Sequence, residues 1–217
     1  MKEDRINLLK YMLAGTVGFG IGFLFMYAWV SYTDTFPGTI KNVSFGLFYS
    51  CRAVGYAIAG VIGGLSLKYA SKRALNKILF GLFSAIGFAV GGVVSEILVI
   101  MSSIPALILG WILEGLNLMS EILFIFILIC VMFIGAMVGG AVIGTFYSLV
   151  LGEKKIIWQL VIIVALGFAI GGLTSGTFIR PTGPMGHIIF GLVVGIFLGI
   201  GMYLAEKIPT PTQKRRR

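Results

Sequence analysis

Charged residues are scarce in this sequence. Only 12% of its 217 residues are Asp, Glu, Lys or Arg, while 58% are hydrophobic. Soluble domains carry about 25% charged residues, and a chain of this length leaves much of its area exposed. That composition excludes a water-soluble globular fold and points to lipid as the solvent. Cysteine is equally sparse. Cys51 and Cys130 sit inside apolar runs without a CxxC or Cys/His cluster. Neither a metal site nor a disulfide framework follows, and both read as small apolar fillers. The single histidine, His187, rules out an HExxH metalloprotease. The two aspartates, Asp4 and Asp34, both flank apolar runs, so an intramembrane aspartyl dyad is excluded. A serine nucleophile in a GxSxG setting is missing as well. The Gly-rich strings lie within apolar segments rather than after a strand, so they are not dinucleotide fingerprints. The expectation is a protein that is not an enzyme and carries no cofactor.

What is abundant is length without charge. A membrane-spanning helix needs about 20 mostly apolar residues. Six stretches qualify, at about 11–32, 43–67, 78–101, 122–151, 156–179 and 187–205. The chain therefore reads as an all-α integral membrane protein, a six-helix transmembrane bundle forming one transmembrane domain over 1–217, with a basic tail at 206–217. The first stretch follows Lys2, Arg5 and Lys10 as a signal peptide would. Its apolar run exceeds the usual 7–15 residues, and Trp29-Val30-Ser31-Tyr32 offers no small-residue cleavage site. It is expected to be a retained helix.

Lysine and arginine predict the orientation. The N-terminal segment, the connections after the second and fourth helices and the C-terminal tail together hold fourteen basic residues. The opposite side holds two, Lys41 and Arg180. The positive-inside rule then puts both termini in the cytoplasm, most simply at the cell membrane. The net charge of +9 is thus topology rather than a nucleic-acid footprint, and the basic tail is placed to meet anionic lipid.

The segment 103–121 is apolar but short, and counting it as a span would move the arginine-rich tail outside. Glu114, Asn117 and Glu121 lie at i, i+3 and i+7, one face of a helix. Pro105 suits a first turn and Trp111 an interface. The expectation is an extra amphipathic helix on the outer surface, or a re-entrant segment, between helices 3 and 4.

The chain also resembles itself. Gly87-Phe88-Ala89-Val90-Gly91-Gly92-Val93-Val94-Ser95 in helix 3 aligns with Gly167-Phe168-Ala169-Ile170-Gly171-Gly172-Leu173-Thr174-Ser175 in helix 5, eighty residues on. The same offset relates Gly55, Gly60 and Gly64 to Gly135, Gly140 and Gly144. Helix 1 has a weaker copy at Gly18-Phe19-Gly20-Ile21-Gly22. The pattern predicts internal two-helix hairpin repeats related by an axis along the membrane normal, as in some transporters. Glycines four apart, at Gly18/Gly22, Gly60/Gly64, Gly87/Gly91, Gly167/Gly171 and Gly191/Gly195/Gly199, form grooves where helices approach closely. Such grooves could equally seat a second copy or another membrane protein.

Charges inside the bilayer are expensive and are functional candidates. Arg52 lies 16 residues before Lys68, hence about 24 Å from the cytoplasmic end; Glu96 lies 19 residues after Lys77, hence about 28 Å from it. Two consecutive antiparallel helices thus carry opposite charges at nearly one depth, which allows an ion pair between them or separate snorkelling of each to the outer interface. Glu114, Glu121, Arg180 and His187 gather on the same outer side. The leading reading is a transporter or channel for a small solute. Its rival is a non-transporting scaffold or subunit of a membrane complex, packing through the glycine grooves.

Overall fold

The computed structural model describes residues 2–34, 45–71, 76–115, 121–151, 154–175 and 183–207. They form six helices: α1 (Lys2–Asp34), α2 (Phe45–Ala70), α3 (Lys77–Gly115), α4 (Glu121–Leu151), α5 (Lys154–Ser175) and α6 (Pro184–Lys207). All six are long and apolar enough to cross a membrane, and the protein is a multi-pass integral membrane protein. Helices are the form such apolar segments must take, because in lipid every backbone amide has to be paired within its own segment.

Local chemistry sets several ends. Asn76 caps α3, its Oδ1 accepting from the amides of Ile78 at 2.9 Å and Leu79 at 3.4 Å. Pro184 opens α6, where its missing N–H would have had no partner. The amide of Ser71 folds back onto Leu67 O at 3.0 Å, closing α2.

Each helix packs antiparallel against its neighbours in sequence, and α1 packs against α6. The bundle is therefore a closed ring in chain order. Glycines set the approach. A Cβ on Gly60 would lie 2.5 Å from Ser84 O and 2.9 Å from Phe88 Cβ. A Cβ on Gly140 would lie 2.7 Å from Val164 O and 2.8 Å from Phe168 Cβ. A Cβ on Gly191 would collide with Phe19 O and reach Phe23 Cβ at 3.0 Å. One contact, a glycine set against a carbonyl and the phenylalanine four residues on, thus recurs at the α2/α3, α4/α5 and α6/α1 interfaces. The remaining interfaces pair Gly18 with Ser66 and Gly22 with Ala59, Gly87 with Phe146 and Gly91 with Gly139, and Gly167 with Phe197. Gly64 faces Ser84, Gly195 faces Gly15 and Gly199 faces Tyr11. Gly171 is looser, 3.3 Å from Phe190 and Val194.

The phenylalanines meet on the ring's axis. Phe88 stacks on Phe19 at 4.9 Å and lies 6.1 Å from Phe23 and 6.2 Å from Phe168. Phe190 bridges Phe23 and Phe168 at 4.8 and 4.9 Å. All five are buried, so aromatic rings fill the axis at mid-depth. Nearer the end that carries both termini, Ser84 Oγ donates to Gly60 O at 2.6 Å. Its one proton is then committed, so the 2.5 Å contact with Tyr147 is a bond that the phenol donates. At the same end, Asp4 pairs with Lys207 at 3.3 Å and Ser71 donates to Glu206 at 2.6 Å, tying α1 and α2 to α6.

The segment 103–121 departs from expectation. Through Gly115 it forms no separate helix; it continues α3, which runs unbroken past Pro105 for 39 residues, while 116–120 lie outside the described residues. The reason is local. Pro105 lacks one amide hydrogen, and the hydroxyls of Ser102 and Ser103 bind carbonyls of the preceding turn, on Leu98, Val99 and Ile100. The carbonyl that Pro105 leaves without its helical donor is a different one, on Met101, so the interruption is confined to a single bond of the ladder. At 1.5 Å per residue α3 is about 58 Å long, well beyond a hydrocarbon core of about 30 Å. Its far end is apolar and exposed, with Trp111 77% accessible. Glu114 falls in the last turn of α3 and Glu121 begins α4.

Candidate functional site

At the end of the ring opposite the termini, α1, α2, α3 and α6 part around a cavity of about 240 Å³. Its charged and polar lining comes from Arg52 and Tyr56 of α2, Glu96 of α3 and His187 of α6. Phe23 and Met26 of α1, Phe48 of α2, Val99 and Ile100 of α3 and Phe190 of α6 supply apolar walls. Phe23 and Phe190 also belong to the aromatic cluster on the axis, so that cluster is the cavity's floor.

The charges expected at one depth are in contact. Arg52 Nη1 donates to Glu96 Oε1 at 3.0 Å. Tyr56 Oη donates to the same oxygen at 2.8 Å. Helical spacing explains the convergence, since Arg52 and Tyr56 are four apart and share a face. The guanidinium also lies over the Phe48 ring, 4.9 Å from its centroid, a cation–π contact that holds it against the wall. The side chains of Arg52 and Glu96 are 27% and 16% exposed, so the pair is neither fully buried nor a free surface bridge. Trp29 Nε1 donates to Cys51 O at 2.8 Å, fixing the turn of α2 that carries Arg52. Gly55 admits that contact: a Cβ there would meet Met26 at 3.1 Å and Trp29 at 3.3 Å.

His187 lies in the first turn of α6, half-buried, with its ring 5.1 Å from that of Tyr27. Thr174 and Ser175, at the end of α5, donate to their own helix, to Ile170 O at 2.8 Å and Gly172 O at 3.3 Å. The side chains of Glu114 and Glu121 lie outside those described. Arg180, like Asn117, lies outside the described residues. Among the described residues no three His, Cys, Asp or Glu side chains cluster as a metal site would require. Tyr56 was not singled out from the sequence, although its spacing from Arg52 was visible there.

Comparison with protein-family models, with curated proteins and with solved structures finds no match to this chain. The site's chemistry therefore has to be read from its own atoms. A pocket with apolar walls and a few convergent polar groups is the usual form of a small-molecule site.

Proposed function

We propose that this protein moves a small solute across the cell membrane, with both termini cytoplasmic and the cavity opening outward. One observation carries the reading. The α2/α3 and α4/α5 interfaces share the glycine–carbonyl–phenylalanine contact, yet among the described residues only the first of these two carries an ion pair. Eighty residues on from Arg52, Tyr56 and Glu96 stand Met132, Ala136 and Gly176. Met132 and Ala136 are buried. An interface of this design thus packs without an ion pair. Placing one there is costly, and a ligand that uses it supplies the reason.

In this reading the hairpins α1–α2, α3–α4 and α5–α6 are copies of one unit, and the chemistry was elaborated in a single copy. The aromatic floor favours a carrier over an open channel, because passage requires those rings to part. Transport of this kind is non-enzymatic. The basic tail, with Lys214, Arg215, Arg216 and Arg217, would sit against anionic headgroups.

A scaffold role is favoured by a different feature, the apolar extension of α3. Ile104, Ile108, Trp111 and Ile112 are each at least half exposed, a surface suited to another membrane protein or a second copy. Uptake assays with the purified chain in liposomes, over a panel of amino acids, organic cations, organic anions and sugars, separate the two. Saturable uptake of one class, abolished by Glu96→Gln, is expected of the carrier. A folded, reconstituted protein that transports nothing leaves the scaffold.

A further inference from the structure

We propose that the cavity binds a small zwitterion of the α-amino-acid type with an apolar side chain, its carboxylate on Arg52 and its ammonium on Glu96. The inference rests on reading the cavity as the solute site, and it follows from charge balance, spacing and lining.

Charge balance comes first. The cavity holds one cation and one anion, Arg52 and Glu96, beside His187. With neutral imidazole its formal charge is zero. A ligand with net charge would leave an uncompensated charge in a partly dehydrated site, which is strongly unfavourable. A zwitterion instead exchanges one ion pair for two, and every charge keeps a partner.

Spacing comes second. The resident charges are in direct contact at 3.0 Å. Only a ligand whose own charges are close together can bridge both without driving the helices far apart. An ammonium and a carboxylate on one carbon satisfy this; a long dipolar molecule does not. The planar guanidinium is suited to grip a carboxylate by two parallel hydrogen bonds. Tyr56, already on Glu96 Oε1 at 2.8 Å, steadies the carboxylate as Arg52 turns from it.

Lining comes third. Phe23, Met26, Val99 and Phe190 offer an apolar wall beside the charges. The cavity is about 240 Å³, below the roughly 300–1,000 Å³ of pockets for drug-sized ligands. Charged head and apolar wall together match leucine or a relative rather than a sugar, an inorganic ion or a large amphiphile.

The test measures thermal stabilisation of the purified full chain by four compounds of one shape: leucine, leucinamide, N-acetylleucine and N-acetylleucinamide. These are respectively a zwitterion, a cation, an anion and an uncharged molecule. Leucine is expected to stabilise, and the other three to bind about tenfold or more weakly, because the cation and the anion each leave one charge of the site unpaired and the uncharged molecule offers neither charge a partner. Arg52→Gln and Glu96→Gln should each abolish the leucine effect. Should either fail to fold, two variants that keep both charges replace them: Arg52→Lys, which keeps the charge but not the bidentate grip, should weaken leucine binding without abolishing it, and Ile100→Trp, which fills the cavity, should lose it. Leucinamide or N-acetylleucine binding as tightly as leucine, or leucine giving no stabilisation, overturns the proposal. Flux of another solute in liposomes without leucine binding leaves transport standing and the zwitterion wrong. Leucine binding without flux of any solute does the reverse.

Discussion

Neutralising the Arg52–Glu96 pair one partner at a time measures how much the bundle depends on it. Arg52→Gln leaves the Glu96 carboxylate with Tyr56 as its remaining partner of the two that bind Oε1. Removing one side of a fully buried pair costs about 3–5 kcal/mol, and of an exposed pair about 0–1 kcal/mol. With side chains 27% and 16% exposed, this pair falls between those limits, and about 2–3 kcal/mol is expected for Arg52→Gln. Glu96→Gln should cost less. Its amide oxygen still accepts from Tyr56, and the more exposed Arg52 is the easier charge to rehydrate. Tyr56→Phe removes one hydrogen bond to a charged group, about 1.5–3 kcal/mol before relaxation. In a chain of this length each kcal/mol moves a melting temperature by roughly 2–4 °C. Arg52→Gln should then lower it by roughly 4–12 °C in a fluorescence-monitored melt in detergent. The double variant should recover part of that loss, giving a coupling of about 1 kcal/mol or more. Single effects that add within about 0.5 kcal/mol would show that the two charges do not depend on each other, and the reasoning from burial would be refuted.

Three further outcomes follow from the packing. Gly60→Val and Gly140→Val should each destabilise by about 3 kcal/mol or prevent folding, since a Cβ would lie 2.5 Å from Ser84 O or 2.7 Å from Val164 O. Gly183→Ala, with nothing within 4 Å, should stay within about 0.5 kcal/mol, and melts of purified variants read the contrast. Phe88→Ala removes a fully buried ring from the axis and should cost about 3–5 kcal/mol in the same assay. It should also raise passive leak in liposomes if the rings seal the path. Trp111→Cys, in a chain with Cys51 and Cys130 replaced by alanine, should react with an impermeant thiol reagent added outside, because the α3 extension exceeds the bilayer; labelling only from the cytoplasmic side would reverse the orientation.

The spans were legible because length and hydropathy are one-dimensional properties, and each described helix covers the core of an expected apolar stretch. The ion pair was legible for a related reason. Depth in a helix is residue count times 1.5 Å, so two charges on adjacent antiparallel helices can be placed at one level from sequence; that they face each other is what the structure adds. What depended on rotation was hidden. Phe88 and Phe168 were visible in the aligned strings, yet only the glycines beside them drew attention, since sequence does not say which residue of a glycine–phenylalanine pair faces the axis. The structure divides the work: each glycine admits a neighbouring helix, and each phenylalanine fills the centre that this close approach creates. Pro105 misled because its effect depends on its neighbours. Inside a long apolar helix it removes one bond of the ladder, to Met101 O, and the remaining bonds carry α3 across it. The i, i+3, i+7 stripe of Glu114, Asn117 and Glu121 predicts one helix face, whereas Glu114 belongs to α3 and Glu121 to α4, with 116–120 outside the described residues. Periodicity alone cannot distinguish one helix from the two facing ends of a hairpin. The same logic gives the cavity its meaning. Glycine and phenylalanine positions recur along the chain because packing needs them at each interface, whereas Arg52, Tyr56 and Glu96 have apolar residues or glycine at their counterparts. A feature that the architecture can omit elsewhere answers to something other than the architecture.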